Sequence, residues 1–452
     1  MSKQHAPTSV RILSLTLILA LLVTVSSLAS AQPRAAPTTI TELAKLTASD
    51  AAEQDRFGWQ VAIGGDNVVV TSVSDDDNGE NSGSAYLFER DAGGPSNWGQ
   101  VAKLTASDGA AVDGFGHSVS ISGDTVAISA VLDDDLGDSS GSAYLFDRPE
   151  SGWTDMTETV KLTASDGAAG EYFGWSVSIS GDTLIVGAPV HPGGGAAYLF
   201  ERDEEGPTNW GQVAKLSASD GAAISWFGRT VAISGGTVVV GARADEAHGG
   251  GQSGSAYLFE KPTDGWANNT ETAKLTTSGA SYEDYFAEFA AISGDVVLVS
   301  AGGDDAGGLA SGAAYLFEKP VSGWVSTTET AKLTASDAAE FDGFGSSVSI
   351  SGTAVVVGAR QDADNGLFSG SAYLFLKPES GWATMTETVK ITASDGAEQD
   401  YFAWSTAIDG GIVVVGSSAD DDDGENSGSA YVYSHFTPVA AVYLPVVLNA
   451  AP

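Results

Sequence analysis

The chain has 452 residues, with 59 acidic side chains against 20 basic ones and a formal net charge of −39. That balance repels nucleic-acid phosphates and anionic lipid surfaces, so recognition through a basic patch is excluded. Hydrophobic residues reach 42% and charged ones only 17%, so a core can form and the chain is no acidic disordered tail; with no cysteine, disulfide frameworks and thiolate chemistry are out.

The first element in chain order is a targeting segment. Lys3, His5 and Arg11 precede a weakly polar to apolar run from Ile12 to Val25, and Ala29-Ser30-Ala31 follows as a small-residue cleavage site. This pattern predicts a secretory signal over 1–31, cut before Gln32, and a short linker over 32–39. The run is short for a membrane span of ~20 residues. The expected product is secreted or held at the cell surface, with no membrane insertion after cleavage.

From residue 40 onward the chain repeats itself. An aromatic-small pair recurs at Phe57-Gly58, Phe115-Gly116, Phe173-Gly174, Phe227-Gly228, Phe286-Ala287, Phe344-Gly345 and Phe402-Ala403. An isoleucine stands six positions after each phenylalanine, from Ile63 to Ile408, and each unit carries one tyrosine in an A-Y-(L/V)-(F/Y) run: Tyr86, Tyr144, Tyr198, Tyr257, Tyr315, Tyr373 and Tyr431. From tyrosine to the next phenylalanine the distance is always 29 residues, so all length variation falls between the phenylalanine and the tyrosine.

Each unit reads as four short strands. The first starts at the Phe-Gly pair and alternates large apolar with small residues, as in Phe173 to Ile179, before a Ser-Gly-Asp turn. The second, such as Thr183 to Val186, is apolar on both faces. The third carries the tyrosine, and the fourth is the K-L-T-A-S segment, with a lysine in all seven copies. The connection into the fourth strand has two spellings, with tryptophan twelve residues after the tyrosine (Trp98, Trp210) or nine after it (Trp153, Trp266, Trp324, Trp382). Four antiparallel strands repeated seven times, with no helical period, predict an all-β, seven-bladed β-propeller over 40–436. An apolar tail, 437–452, follows; it is open as an edge strand or as a sorting or docking peptide.

The Phe173-Gly174 pair followed by Val186-Gly187-Ala188-Pro189 resembles the FG-GAP repeat of integrin α-subunit propellers. The K-L-T-A-S-D and G-S-A-Y-L-F runs make the units similar to bacterial secreted FG-GAP repeat proteins. The resemblance implies that the Phe-Gly strand is innermost, with glycine permitting close approach at the crowded axis, and that the K-L-T-A-S strand is outermost. It also implies closure of the last blade by the N-terminal strand, because the copy at Lys45 precedes the first Phe-Gly pair and none follows Tyr431.

Integrin propellers hold calcium in a D-x-D-x-D-G-x-x-D loop between first and second strands, and no unit here has it. The acids lie elsewhere. Between second and third strands a D-x-D-x-G pattern occurs at Asp75/Asp77, Asp133/Asp135, Asp362/Asp364 and Asp420/Asp422. The fifth unit keeps Asp304 but has Ala306, the fourth is altered at Asp245, and the third has lost the loop. Alternating aspartates with a turn glycine supply part of a Ca2+ cage, and they equally make a solvated turn. A second set precedes the Phe-Gly pair, seven residues before it at Asp50, Asp108, Asp166, Asp220, Asp337 and Asp395 and two residues before it at Asp55, Asp113, Glu171, Asp284, Asp342 and Asp400. Both connections precede odd-numbered strands, so they open on one face, which is expected to be ringed with carboxylates. Trp226 and Arg229 around the fourth pair break the pattern and join this expected ligand face; Tyr282, Tyr285 and Glu288 in the fifth unit depart from the pattern as well.

Catalytic signatures are sparse. Gly137-Asp-Ser139-Ser-Gly141 spells G-x-S-x-G, but it aligns with acidic-loop segments of other units and no helix follows. The reading is a monomeric, non-catalytic binding or adhesion module that recognises an extracellular protein or glycan, with calcium as a candidate cofactor. A carbohydrate-active hydrolase or lyase, and a passive surface structural protein, are the alternatives.

Overall fold

The alternating runs become strands, and the first two strands of each unit pair because only a two-residue turn separates them. In the computed structural model, residues 39–436 are described, apart from 96, 204–208, 222–224 and 247–250. The expected signal peptide, the linker up to residue 38 and the 437–452 tail lie outside them. Blade 1 runs from an inner strand (Phe57–Gly64) through a second (Asn67–Ser72) and third (Ser84–Arg90) to an outer strand (Trp98–Thr105), all antiparallel. The same meander builds seven sheets. Second strands such as Thr183–Ala188 are buried at every position, as their two-sided apolar pattern predicts.

The ring closes as expected. Thr39–Leu46 pairs antiparallel with Ser429–Phe436 and becomes the outer strand of blade 7. Lys45 lies opposite Tyr431, the register that Lys103 and Tyr86 share in blade 1.

The core lies between blades rather than within them. Phe57 meets Tyr86 and Phe88 edge-on, with centroids 5.5 and 6.0 Å away, a geometry that favours aromatic pairs. Phe115, Val126 and Tyr144 of blade 2 pack on Val69, Leu87 and Leu104 of blade 1. Each side chain so buried contributes about 1.5–3 kcal/mol, and the preceding blade supplies between a third and a half of each cluster.

Backbone bonds join the blades as well. Every repeat phenylalanine donates its N–H to a carbonyl of the preceding blade: Phe57 to Ser427, Phe115 to Ser82, Phe173 to Ser140, Phe227 to Gly194, Phe286 to Ser253, Phe344 to Ser311 and Phe402 to Ser369, at 2.9–3.1 Å. Here the reason for glycine differs from the expected crowding at the axis. Gly58 has φ +88°, and a Cβ there would lie 2.2 Å from the Ser429 carbonyl oxygen in the neighbouring blade. The close approach is between blades.

The inner strands leave one edge unpaired by any sheet, a liability for a β protein. Serine hydroxyls of the adjacent blade cover it: Val177, Ile179 and Gly181 donate N–H groups to Ser118, Ser120 and Ser122 at 3.0–3.1 Å. This explains the small residues of the alternating V-S-I-S pattern. At the outer rim the K-L-T-A-S serine is clasped by the next blade, and the two spellings of the connection supply two versions of the clasp. Gln100 and Gln212 hold Ser49 and Ser165. Glu158, Glu271, Glu329 and Glu387 hold Ser107, Ser219, Ser278 and Ser336, and Glu42 of the N-terminal strand holds Ser394.

Gly141 has φ +82°, and a Cβ there would sit 1.9 Å from the Phe173 carbonyl oxygen, whereas Gly123, at φ +59°, has open space around it. Gly123→Ala is therefore expected to cost about 1–2 kcal/mol, the left-handed conformation alone. Gly141→Ala must also push two blades apart and should cost more than about 3 kcal/mol. Urea denaturation of the two variants checks the difference.

Candidate functional site

Strand pairing sets lysine beside tyrosine on neighbouring strands of each blade, and the acidic loops fold over them. In blade 1 the Lys103 ammonium lies 2.7 Å from Asp50 and 3.1 Å from Asp75, and it also bonds Asp77. Tyr86 donates its hydroxyl to Asp75 at 2.7 Å. Asp50 comes from the connection into the inner strand, so the two acidic connections do meet on one face.

The arrangement recurs around Lys161 (Asp108, Asp133, Asp135), Lys390 (Asp337, Asp362, Asp364) and Lys45 (Asp395, Asp420, Asp422). Lys274 keeps Asp220 and Asp245, and Lys332 keeps Asp304. In blade 3, where the D-x-D loop is lost, His191 takes the place of the buried aspartate. Its Nδ1 lies 2.9 Å from Glu171, and its Nε2 lies 2.6 Å from the Lys215 ammonium.

Burial works against the charge on Lys103, but hydrogen bonds to Asp50 and Asp77 and the field of Asp75 outweigh it and hold its pKa above the usual lysine range. Burial alone would likewise raise Asp50, yet its bonds to Lys103 and Tyr86 keep it below the ordinary carboxylate value. The carboxylate oxygens of Asp50, Asp75 and Asp77 lie within 4.8 Å of one another, as do those of Asp108, Asp133 and Asp135 and of Asp337, Asp362 and Asp364. Each set can hold a metal ion, and its hard oxygen donors suit calcium in type. In the chain as it stands, a lysine ammonium occupies the same space.

Of the second acidic set, the members seven residues before the pair, such as Asp50 and Asp108, stay half exposed on this face as expected, but those two residues before it are placed differently. Asp55, Asp113, Glu171, Asp284, Asp342 and Asp400 are all buried, between 5% and 8% exposed, rather than forming an open ring. Each folds back to accept the N–H three residues earlier, as Asp55 does from Ala52 at 2.7 Å and Asp400 from Ala397 at 2.6 Å. They are turn-forming residues.

What does open on this face is the mouth of the axial channel. In most blades the register slips between the phenylalanine and the body of the inner strand, between Phe57 and Val61 in blade 1. Such bulges re-aim side chains. The residue two places after each phenylalanine falls in or beside this slip: Trp59, His117, Trp175, Arg229, Glu288, Ser346 and Trp404. Trp59, His117, Trp175, Arg229 and Trp404 line one cavity of about 330 Å³, together with Arg360 and Phe289.

Trp59 packs on Trp404 at 4.8 Å and His117 on Trp175 at 4.9 Å. Arg360 lies 4.4 Å from the centre of the Trp404 ring, and Arg229 4.7 Å from that of Trp175. Glu288 bonds Arg229 and, at 2.6 Å, Arg243, which in turn covers Trp226 and Tyr285. Of the expected ligand residues, Trp226 and Arg229 do gather here. Glu288 and Tyr285, which depart from the repeat in the fifth unit, stand beside them, whereas Trp59, His117, Trp175, Trp404 and Arg360 were missed, although a signal existed: the position two places after the phenylalanine varies in chemical type from blade to blade.

The fold and this face define a seven-bladed propeller with catalytically undistinguished loops; Gly137–Gly141 lies in the loop before the strand Ser142–Asp147, not before a helix. The chain belongs to the FG-GAP repeat family, which matches residues 40–88, 98–146, 156–200, 210–259, 269–317, 327–375 and 385–433. Propellers of this family are characteristic of non-catalytic adhesion modules rather than enzymes. No curated protein matches the chain. Among solved structures it is similar to the WD40 β-propeller domain of Doa1, at 13% identity over 88% of this chain and 97% of that one, with a TM-score of 0.48, a likeness too distant to inform fold or function. Among the described residues, no helix is long and apolar enough to cross a membrane.

Asp55 and Asp400 are pushed up to about 6 from the ordinary 3.8, chiefly by burial and against the bond from the turn N–H, with neighbouring aspartates adding to the rise. Such groups bind protons more tightly when folded. The stability they contribute is therefore fully present below about pH 4 and is lost as pH rises through about 6. His117, held down to about 4 by burial and then by Arg229, acts in the opposite sense over the same range. The double variant Asp55→Asn/Asp400→Asn is expected to show a smaller gain in melting temperature than the native chain when pH falls from 7 to 5. Differential scanning calorimetry at the two pH values measures this, and equal gains would refute it.

Proposed function

We propose that the protein is an exported, non-catalytic binding module that recognises a protein or glycan ligand on the loop face of its propeller. Export is supported by the charged start, the apolar run from Ile12 to Val25 and the Ala29-Ser30-Ala31 site. The observation that carries the binding reading is the channel mouth. It is the place where the sevenfold pattern is abandoned, and it collects tryptophan and arginine in a cavity. Aromatic residues and arginine dominate binding hot spots, and function grafted on a repeat scaffold sits where the repeats diverge. An array of glycans and of extracellular proteins, probed with the exported chain, tests the reading. Specific capture that is lost in Trp59→Ala is the expected outcome, and absence of any specific capture would overturn it.

Calcium dependence is the finer part of this reading, and it requires the ion to displace a lysine. Lys103→Gln should leave Asp50, Asp75 and Asp77 without their counter-charge, lowering stability in chelator. Calcium should then restore it more than magnesium at equal ionic strength, because magnesium demands tight octahedral geometry and parts reluctantly with water. An ion bound only by the folded state adds about 2.7 kcal/mol at a hundredfold excess over Kd. Thermal shifts of the variant and the native chain in both ions read this out, and equal shifts would make these loops plain solvated turns.

A further inference from the structure

The chain carries 59 acids, yet no carboxylate lines the cavity at the channel mouth. Arg229 and Arg360 line it, and Arg243 shares Glu288 with Arg229, so this connected group holds three cations and one anion. Glu288 accepts from both Arg229 and Arg243. The Arg360 guanidinium makes no ion pair among the described residues and rests on the Trp404 ring. An arginine held flat on an indole keeps its fork of donors fixed, the geometry that grips a carboxylate with two parallel bonds.

A second observation is independent of charge. Trp59, Trp175 and Trp404 line the cavity and are only half-buried, so they present aromatic surface to whatever enters it. The His117 ring is uncharged at neutral pH, since burial and then Arg229 hold its pKa down to about 4. It therefore adds no charge to the mouth. Below the mouth the channel continues between the inner strands, walled by serines such as Ser118, Ser120, Ser176 and Ser178 as well as by isoleucines such as Ile63 and Ile121.

We infer that the channel mouth binds an acidic sugar end-on, its carboxylate gripped by Arg360 and Arg229 and its ring against the half-buried tryptophans. A cavity of about 330 Å³ is at the small end of ligand sites, the scale of one or two sugar rings rather than of a protein segment. This inference rests on the binding-module reading and names its ligand class.

The test uses the exported chain with glucuronate and galacturonate, each set against its neutral aldose and against acetate, followed by tryptophan fluorescence and saturation-transfer NMR. Binding of a uronate, with the neutral sugar and acetate at least about tenfold weaker, is expected, since a charge-assisted bond of 1.5–3 kcal/mol corresponds to about ten- to a hundredfold. Arg360→Ala should abolish that preference while leaving the chain folded with at most a small drop in melting temperature, because Arg360 makes no ion pair among the described residues and loses only its contact with the Trp404 ring, and Arg360→Lys should restore part of it. Equal binding of neutral and acidic sugars, no uronate binding, or an unchanged Arg360→Ala variant would each overturn the inference. A ligand captured on the array and retained by Arg360→Ala would overturn it as well, while leaving the binding-module reading in place.

Discussion

Adjacent blades touch backbone to backbone, and this constraint governs the rest of the molecule. Each phenylalanine N–H reaches into the preceding blade, and the residue beside it must adopt a positive φ with no room for a side chain at Gly58. Alanine fills that position in two blades, at Ala287 and Ala403, and still carries φ +67° and +66°, so the conformation is imposed by the neighbour rather than chosen by glycine. A blade with such an edge and half a core has no stable existence alone. The ring has to close, and the N-terminal strand closes it in the same register that every other outer strand uses.

Charge is managed by the same repetition. The seven K-L-T-A-S lysines each meet at least one aspartate beside a buried tyrosine, and in four blades they meet three, so much of the surplus negative charge is gathered into local clusters around an ammonium. In those clusters one aspartate is buried, as Asp75 is at 4% exposure, while its partners stay half exposed to solvent. That division limits the desolvation penalty that makes fully buried ion pairs weak contributors to stability. Blade 3 shows that the position tolerates a different chemistry, with His191 between Glu171 and Lys215.

Scaffold and site are separated by a bulge. Where the inner strand pairs regularly, its serines and isoleucines serve neighbour contacts and the channel wall, and they repeat. Where the pairing slips, the side chain is released toward the mouth and no neighbour dictates its size. Tryptophan, histidine, arginine, glutamate and serine all occur there. The mouth is cationic and aromatic on a protein that is otherwise strongly acidic, a combination that only the convergence of seven inner strands could produce.

The blade count, the four-strand meander, the variable loop and the closing role of the segment around Lys45 were all legible in the chain, because fixed spacings and period-two patterns depend on local geometry alone. The acidic residues were legible as a set but not as individuals. Asp75 and Asp55 look alike in the sequence, and only folding decides that one meets a lysine and a tyrosine while the other turns back onto the N–H of Ala52. The channel mouth was hidden for the same reason. Trp59, His117, Trp175 and Trp404 are separated by intervals of 58 residues or more, and Arg360 belongs to a second-to-third-strand connection. Nothing in a linear repeat states which way a bulged residue points, and a cavity that takes one side chain from each of several blades exists only after the ring has closed.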